Sequence, residues 1–179
     1  MERWTQALFT HSSTREAILE HRFLAAIGSQ LWEEGEFDLA VSHSEVDNAG
    51  HDVIIEARGV VRHIQLKALH AAGRARHFPV QKRLEDKPSG CVVLMRHDLR
   101  TLLITGYGFY GGMPGEKMPS LDGKIAKHSK ADANGNKALR PGLRLLPVSR
   151  FQPAPDAQSL TRLLFGEPGL QLGPVDKAG

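Results

Sequence analysis

Four side chains in this 179-residue sequence have the types and spacing to share one reaction: Glu20, Asp52, Gln65 and Lys67. Two carboxylates with an amide oxygen suit a hard divalent cation, which takes oxygen ligands. The spacing argument starts at Arg58-Gly59, a turn signal between two runs rich in β-branched residues. If these two residues form the tight turn of a hairpin, Ala57 pairs with Val60. Counting outward, Asp52 then lies opposite Gln65, with Cβ atoms about 5 Å apart. Side chains alternate with period two, so Lys67 shares a face with Gln65 while Ile64 and Leu66 point to the apolar side. A longer turn would shift this register.

Glu20 has to come from a helix. At about 100° per residue, Leu19, Phe23, Leu24, Ile27 and Leu31 cluster on one face, and Glu16 and Glu20 fall in its middle. Ser13-x-x-Glu16 reads as a capping box, which accounts for Glu16. Glu20 lies more than a turn inside the helix, where a carboxylate on a core-facing stripe is costly without a partner. A buried arginine or a backbone donor would satisfy it, and Lys67 could simply pair with Asp52 on an exposed sheet face. A helix packed on the sheet would instead bring Glu20 to the hairpin residues and complete a cation site with the Leu66 carbonyl.

The elements that must position these residues follow from periodicity and punctuation. A helix is expected from about Thr14 to Glu34, stopped at Gly35. Short strands are expected at Phe37–Val41, Asp52–Glu56, Val60–Ala68, Cys91–Met95 and Thr101–Tyr107. Val80–Lys87 reads as a short helix, and Leu143–Val148 as an edge strand that returns to the sheet. Asp156–Phe165 reads as a final helix with Gly166 as its stop. The order is that of a mixed α/β fold. One domain over residues 1–166 is expected, with its core at about 14–107, a basic loop at about 111–144 and a frayed tail over 167–179.

At this point the sequence resembles the PD-(D/E)XK nucleases. That pattern has a helix glutamate, then an aspartate, then an acidic residue or glutamine followed by x-Lys on the next strand. Here it stands as Glu20, then Gly50-His51-Asp52-Val53-Ile54, then Ile64-Gln65-Leu66-Lys67. The resemblance covers roughly Thr14 to Tyr107 and implies a restriction-endonuclease-like mixed sheet flanked by helices. It also implies a Mg²⁺-dependent endonuclease acting on DNA, with Mn²⁺ as a substitute. Asp52 would be the main metal ligand, completed by Glu20, Gln65 and the Leu66 carbonyl. The metal would acidify a bound water and offset phosphate charge. Lys67 would orient or deprotonate the water and stabilise the reacting oxygens. Gln65 stands where many members carry Glu or Asp, which removes one negative charge. Asp47, in the loop before Asp52, reads as a turn residue or an outer-shell carboxylate.

Bulk properties set the context. Hydrophobic residues make up 41% and charged residues 24%, with a formal net charge of +3. This composition allows a sizeable core and a polyanionic partner. Arg74, Arg76 and Lys82, downstream of the hairpin, would neutralise phosphates, and Lys124, Lys127 and Lys130 would form a nucleic-acid arm. A solvated surface is the competing reading of both groups. The single cysteine, Cys91, excludes an intramolecular disulfide and a cysteine-built zinc site and points to the cytoplasm. The nine histidines are scattered without metal-ligand spacing. Neither a secretory signal nor a membrane span is expected. A homodimer would present two sites to the two strands of a duplex. The competing function is a nucleic-acid-binding module that does no catalysis, kept open by Gln65. An unrelated α/β protein in which Glu20 and Lys67 merely pair is the third reading.

Overall fold

A computed structural model describes residues 2–43, 50–128, 135 and 137–169 of the chain. The turn sequence at the hairpin behaves as its composition dictates. Arg58 and Gly59 both take left-handed backbone angles, φ 53° and 71°, the requirement of a two-residue turn whose twist matches the strands. Ala57 therefore pairs with Val60, and the antiparallel ladder between β2 (Val53–Ala57) and β3 (Val60–His70) runs outward to Val53 opposite Ile64. β1 (Ala40–His43) pairs with the far side of β2. β3 then pairs in parallel with β5 (Gly90–His97), and β5 in antiparallel fashion with β6 (Ile104–Gly111). β9 (Gln152–Ala154) closes a six-stranded mixed sheet on the far edge of β6.

Helix α2 (Ser12–Glu33) covers one face of this sheet. Its residues Leu19, Phe23, Ile27 and Leu31 repeat every four positions, and all four are fully buried. They pack with the inward residues of β2, β3, β5 and β6 and with Leu160, Leu164 and Phe165 of α3 (Ala157–Phe165). Asp156 caps α3 by accepting from the Ser159 amide, 2.8 Å. The opposite face is covered by a second, three-stranded sheet. There β8 (Leu139–Pro147) lies between β4 (His77–Gln81) and β7 (Ile125–Lys127). Leu69, Val92 and Leu94 of the large sheet meet Phe78, Val80 and Leu146 of the small one in a second apolar layer. The protein is thus α/β, with a helix layer on one side of the main sheet and a β layer on the other. No described helix is long and apolar enough to cross a membrane.

Five local expectations are corrected. The first helix begins at Ser12, with His11 rather than Ser13 at its N-cap and no side-chain cap bond. The capping box is not formed because α1 (Glu2–Thr10) runs into α2 almost without a break, so Ser13 lies inside the helix. The strand expected at Phe37–Val41 starts later, at Ala40. Val80–Lys87 is strand followed by a 3-10 turn (Lys82–Asp86), because β8 supplies β4 with a hydrogen-bonding neighbour. Leu143–Val148 does not return to the main sheet, since β8 pairs with β4 and β7, and β9 takes the edge instead. The expected basic loop at 111–144 contains β7 and the start of β8.

Two buried arginines fasten the frame. Arg62, fully buried on β3, donates from Nε to the Leu164 carbonyl (2.7 Å) and from Nη2 to the carbonyls of Leu163 (2.9 Å) and Gly112 (3.1 Å). It satisfies carbonyls at the end of α3 that the helix leaves unpaired, and burial lowers its pKa. Arg58 reaches from the hairpin turn to Glu34, to Glu36 (3.2 Å) and to the Gly166 carbonyl. Arg62→Ala should strand these buried carbonyls and cost about 3 kcal/mol. Urea unfolding checks this, and an unchanged midpoint would show that α3 is held by its leucines alone.

Candidate functional site

The site forms where β3 outruns β2. The ladder ends at Val53 and Ile64, yet β3 continues to His70. Just past the last pair, the Asp52 amide donates to the Ile64 carbonyl (2.9 Å). The Asp52 carboxylate then accepts from the Leu66 amide at 2.6 Å. A strand residue's N–H and C=O lie on the same edge, so the Leu66 carbonyl faces the same notch. The expected register holds out to Val53 opposite Ile64, but the expected Asp52–Gln65 pair is not part of the ladder: Asp52 holds β3 by its amide on Ile64 and its carboxylate on Leu66.

A cleft of about 450 Å³ opens at this notch. Asp52, Leu66 and Lys67 line it from the hairpin, Arg15, Glu16 and Glu20 from α2, and Phe78 and Pro79 from β4. Of the residues singled out in the sequence, Glu20, Asp52, Leu66 and Lys67 are brought together. Gln65 is not among the lining residues. It is buried, and its amide oxygen accepts from the Gln81 amide of β4 (3.0 Å), tying the two sheets together. Glu20 sits at the edge of the helix's buried stripe rather than within it. His43 at the end of β1 holds it, with Nε2 3.0 Å from its carboxylate.

The electrostatics follow from the walls. Asp52 is open to solvent through the cleft, yet the surrounding protein displaces enough water to push its carboxyl above the ordinary value. The Leu66 amide and Lys67 pull it down, and Glu20 pushes it up. Burial lowers the Lys67 ammonium. Asp52 and Glu16 oppose that shift, and Arg140 of β8 reinforces it. Both groups are thus driven toward their neutral forms. Glu16 makes no cap and lines the cleft; its place one turn before Glu20 on the same helix face is the sequence signal for this. Arg140 had no such signal, because only the pairing of β8 with β4 carries it near Lys67.

The donor set is oxygen-rich, as Mg²⁺ requires: the carboxylates of Asp52, Glu20 and Glu16, and the Leu66 carbonyl. Among the described residues no three His, Cys, Asp or Glu side chains stand close enough to enclose a cation by themselves. Carbonyl oxygens and water would complete the shell, which is usual for this ion. The expected phosphate contacts divide. Arg74, Arg76, Lys124 and Lys127 are exposed, whereas Lys82 is ion-paired with Glu85. Asp47 and Lys130 lie outside the described residues. Comparison with protein-family models, with curated proteins and with solved structures returns no match to this chain.

The raised Asp52 pKa fixes the sign of a stability effect. Folding favours the protonated acid, so this contribution is whole below the ordinary carboxylate range and lost as pH rises through the folded value. Asp52→Asn keeps an acceptor for the Leu66 amide and has no charge to desolvate. It should stabilise the fold at pH 7 by under about 1 kcal/mol, because water reaches the group, and so raise the melting temperature. The gain should vanish near pH 3. Equal melting of the two proteins at pH 7 would show that solvent screens the carboxylate fully.

Proposed function

We propose that the protein is a Mg²⁺-dependent endonuclease that hydrolyses DNA phosphodiester bonds in this cleft, working in the cytoplasm. The observation that carries the reading is the meeting of Asp52, Glu20 and Lys67, drawn from a strand end, a helix and the adjacent strand. This is the placement that resemblance to the PD-(D/E)XK nucleases implies. Asp52, Glu20 and the Leu66 carbonyl would hold Mg²⁺, or Mn²⁺ in its place, with Gln65 able to join only if its oxygen also keeps Gln81. The bound ion would supply positive charge against the phosphate and acidify water.

The chain's own residues do the rest. Lys67 Nζ, its pKa lowered by burial, takes a proton from the attacking water more readily than an exposed lysine. Once protonated, it places a positive charge beside the oxygens that gain charge in the transition state. The Asp52 and Glu16 carboxylates oppose that lowering of its pKa. Arg140, Lys124 and Lys127 of the second sheet and its approach offer cations to flanking phosphates. A homodimer would serve both strands of a duplex. A second reading, a nucleic-acid-binding module without catalysis, is favoured by one observation, the commitment of the Gln65 oxygen to Gln81.

Nicking of supercoiled plasmid with Mg²⁺ against EDTA separates the two readings. Asp52→Asn should lower nicking about a hundredfold or more. Lys67→Ala should lose nicking to the same degree yet still bind Mn²⁺ in a calorimetric titration, because an ammonium is no ligand. Gln65→Glu keeps an acceptor for Gln81 and adds an anionic oxygen beside a cleft that Gln65 does not line; unchanged Mn²⁺ binding is expected if the side chain stays a strut between the sheets, and tighter binding would show that it turns into the cleft. Wild-type cleavage that survives in Asp52→Asn would falsify the site. In a gel-shift series across salt concentrations, Lys124→Ala with Lys127→Ala should flatten the slope of log affinity by about two. An unchanged slope would make these lysines a solvated surface.

A further inference from the structure

Arg15 is a wall with two sides. One side lines the Asp52 cleft, and the other lines a separate groove of about 130 Å³ between α1, α2 and the β5–β6 turn. That groove is walled by Trp4, Ile18, Leu99 and Leu102, and its lining is mostly apolar. The Arg100 guanidinium lies over the Trp4 ring, 5.9 Å from its centre. Trp4 also lines an adjoining recess of about 490 Å³ with Arg3 and His11. Among the described residues no acidic side chain lines either hollow. Arg15 Nη1 donates to the Leu8 carbonyl of α1 (2.9 Å), so the ridge between cleft and groove is braced. Its Nε is buried without a hydrogen-bond partner among the described residues.

An apolar, aromatic trough rimmed by guanidinium groups has the chemistry of a single nucleic-acid strand, with bases against the ring and phosphates toward the cations. A volume near 130 Å³ equals about four waters, room for one planar base. A paired, stacked duplex offers no free base face. Arg15 is already ion-paired with Glu16 (3.1 Å), but a second copy of this chain would set Arg3 and Arg100 against their own equivalents across a twofold axis, a repulsive arrangement. We propose that this trough is a nucleobase subsite for the unpaired flank of the strand whose phosphodiester enters the Asp52 cleft. The inference rests on the nucleic-acid reading of that cleft, and it makes frayed, branched or single-stranded DNA the substrate class.

The test uses Trp32→Phe, which leaves Trp4 as the lone indole of the full chain. A ten-nucleotide single-stranded DNA is titrated in EDTA while tryptophan emission is followed. Emission should fall to saturation, and an oligonucleotide of the same length with abasic positions should bind without the fall. Trp4→Leu should weaken single-strand binding about tenfold, the size of one lost base stack, and leave duplex affinity and the salt slope unchanged. Oligonucleotide binding with unchanged Trp4 emission overturns the trough and leaves the Asp52 reading standing. No binding to any nucleic acid overturns both. Self-association that is lost in Trp4→Leu would make the trough a self-interface and overturn the proposal as well.

Discussion

β2 spans five residues and β3 spans eleven. A strand that runs past its neighbour leaves a row of amides and carbonyls without ladder partners, and such groups must find water or a side chain. Asp52 answers this at the first position beyond the ladder. Its amide completes one backbone bond and its carboxylate reaches the Leu66 amide. The same step fixes the carboxylate, turns the Leu66 carbonyl into an open notch and leaves Lys67 without a strand in front of it. Had β2 continued, its backbone would fill the cleft. The site is therefore a defect in sheet pairing, stabilised by one side chain.

The surroundings of that defect are built to hold charge under tension. Burial drives Asp52 up and Lys67 down, and each resists the other's shift. Folding energy spent on keeping two ionisable groups half out of water must come from elsewhere, and here two layers supply it. The α2 stripe of Leu19, Phe23, Ile27 and Leu31 is fully buried on one face, and the inter-sheet layer around Val80, Leu94 and Leu146 on the other. Arg58 and Arg62 tie the hairpin to the C-terminal ends of α2 and α3.

The second sheet changes what the basic residues can do. In a mobile loop, Lys124, Lys127 and Arg140 would be a diffuse cloud. Pairing of β8 with β4 gives the cleft its far wall, Phe78 and Pro79, and brings Arg140 within electrostatic reach of Lys67. Gln65 belongs to this arrangement too. Its oxygen serves the amide of Gln81, so the residue that a motif marks as a ligand is also a strut between sheets.

Local sequence determined the hairpin, because Arg58-Gly59 permits only a tight turn and period-two alternation then sets every pairing out to Val53 and Ile64. It likewise determined the buried stripe of α2 and the stop at Gly35, since both rest on short-range geometry. Glu20, Asp52 and Lys67 were legible for that reason. Tertiary structure decided what depends on distant partners. α1 displaced the capping box at Ser13, and Glu16 was thereby left to the cleft. β4 became a strand only because β8, more than sixty residues later, offered it hydrogen bonds. Gln65 turned from the notch to Gln81, and Arg140 came to Lys67, through the same pairing. Strand partners far apart in the chain carry no mark in local composition, since any exposed edge satisfies the backbone equally until packing selects one.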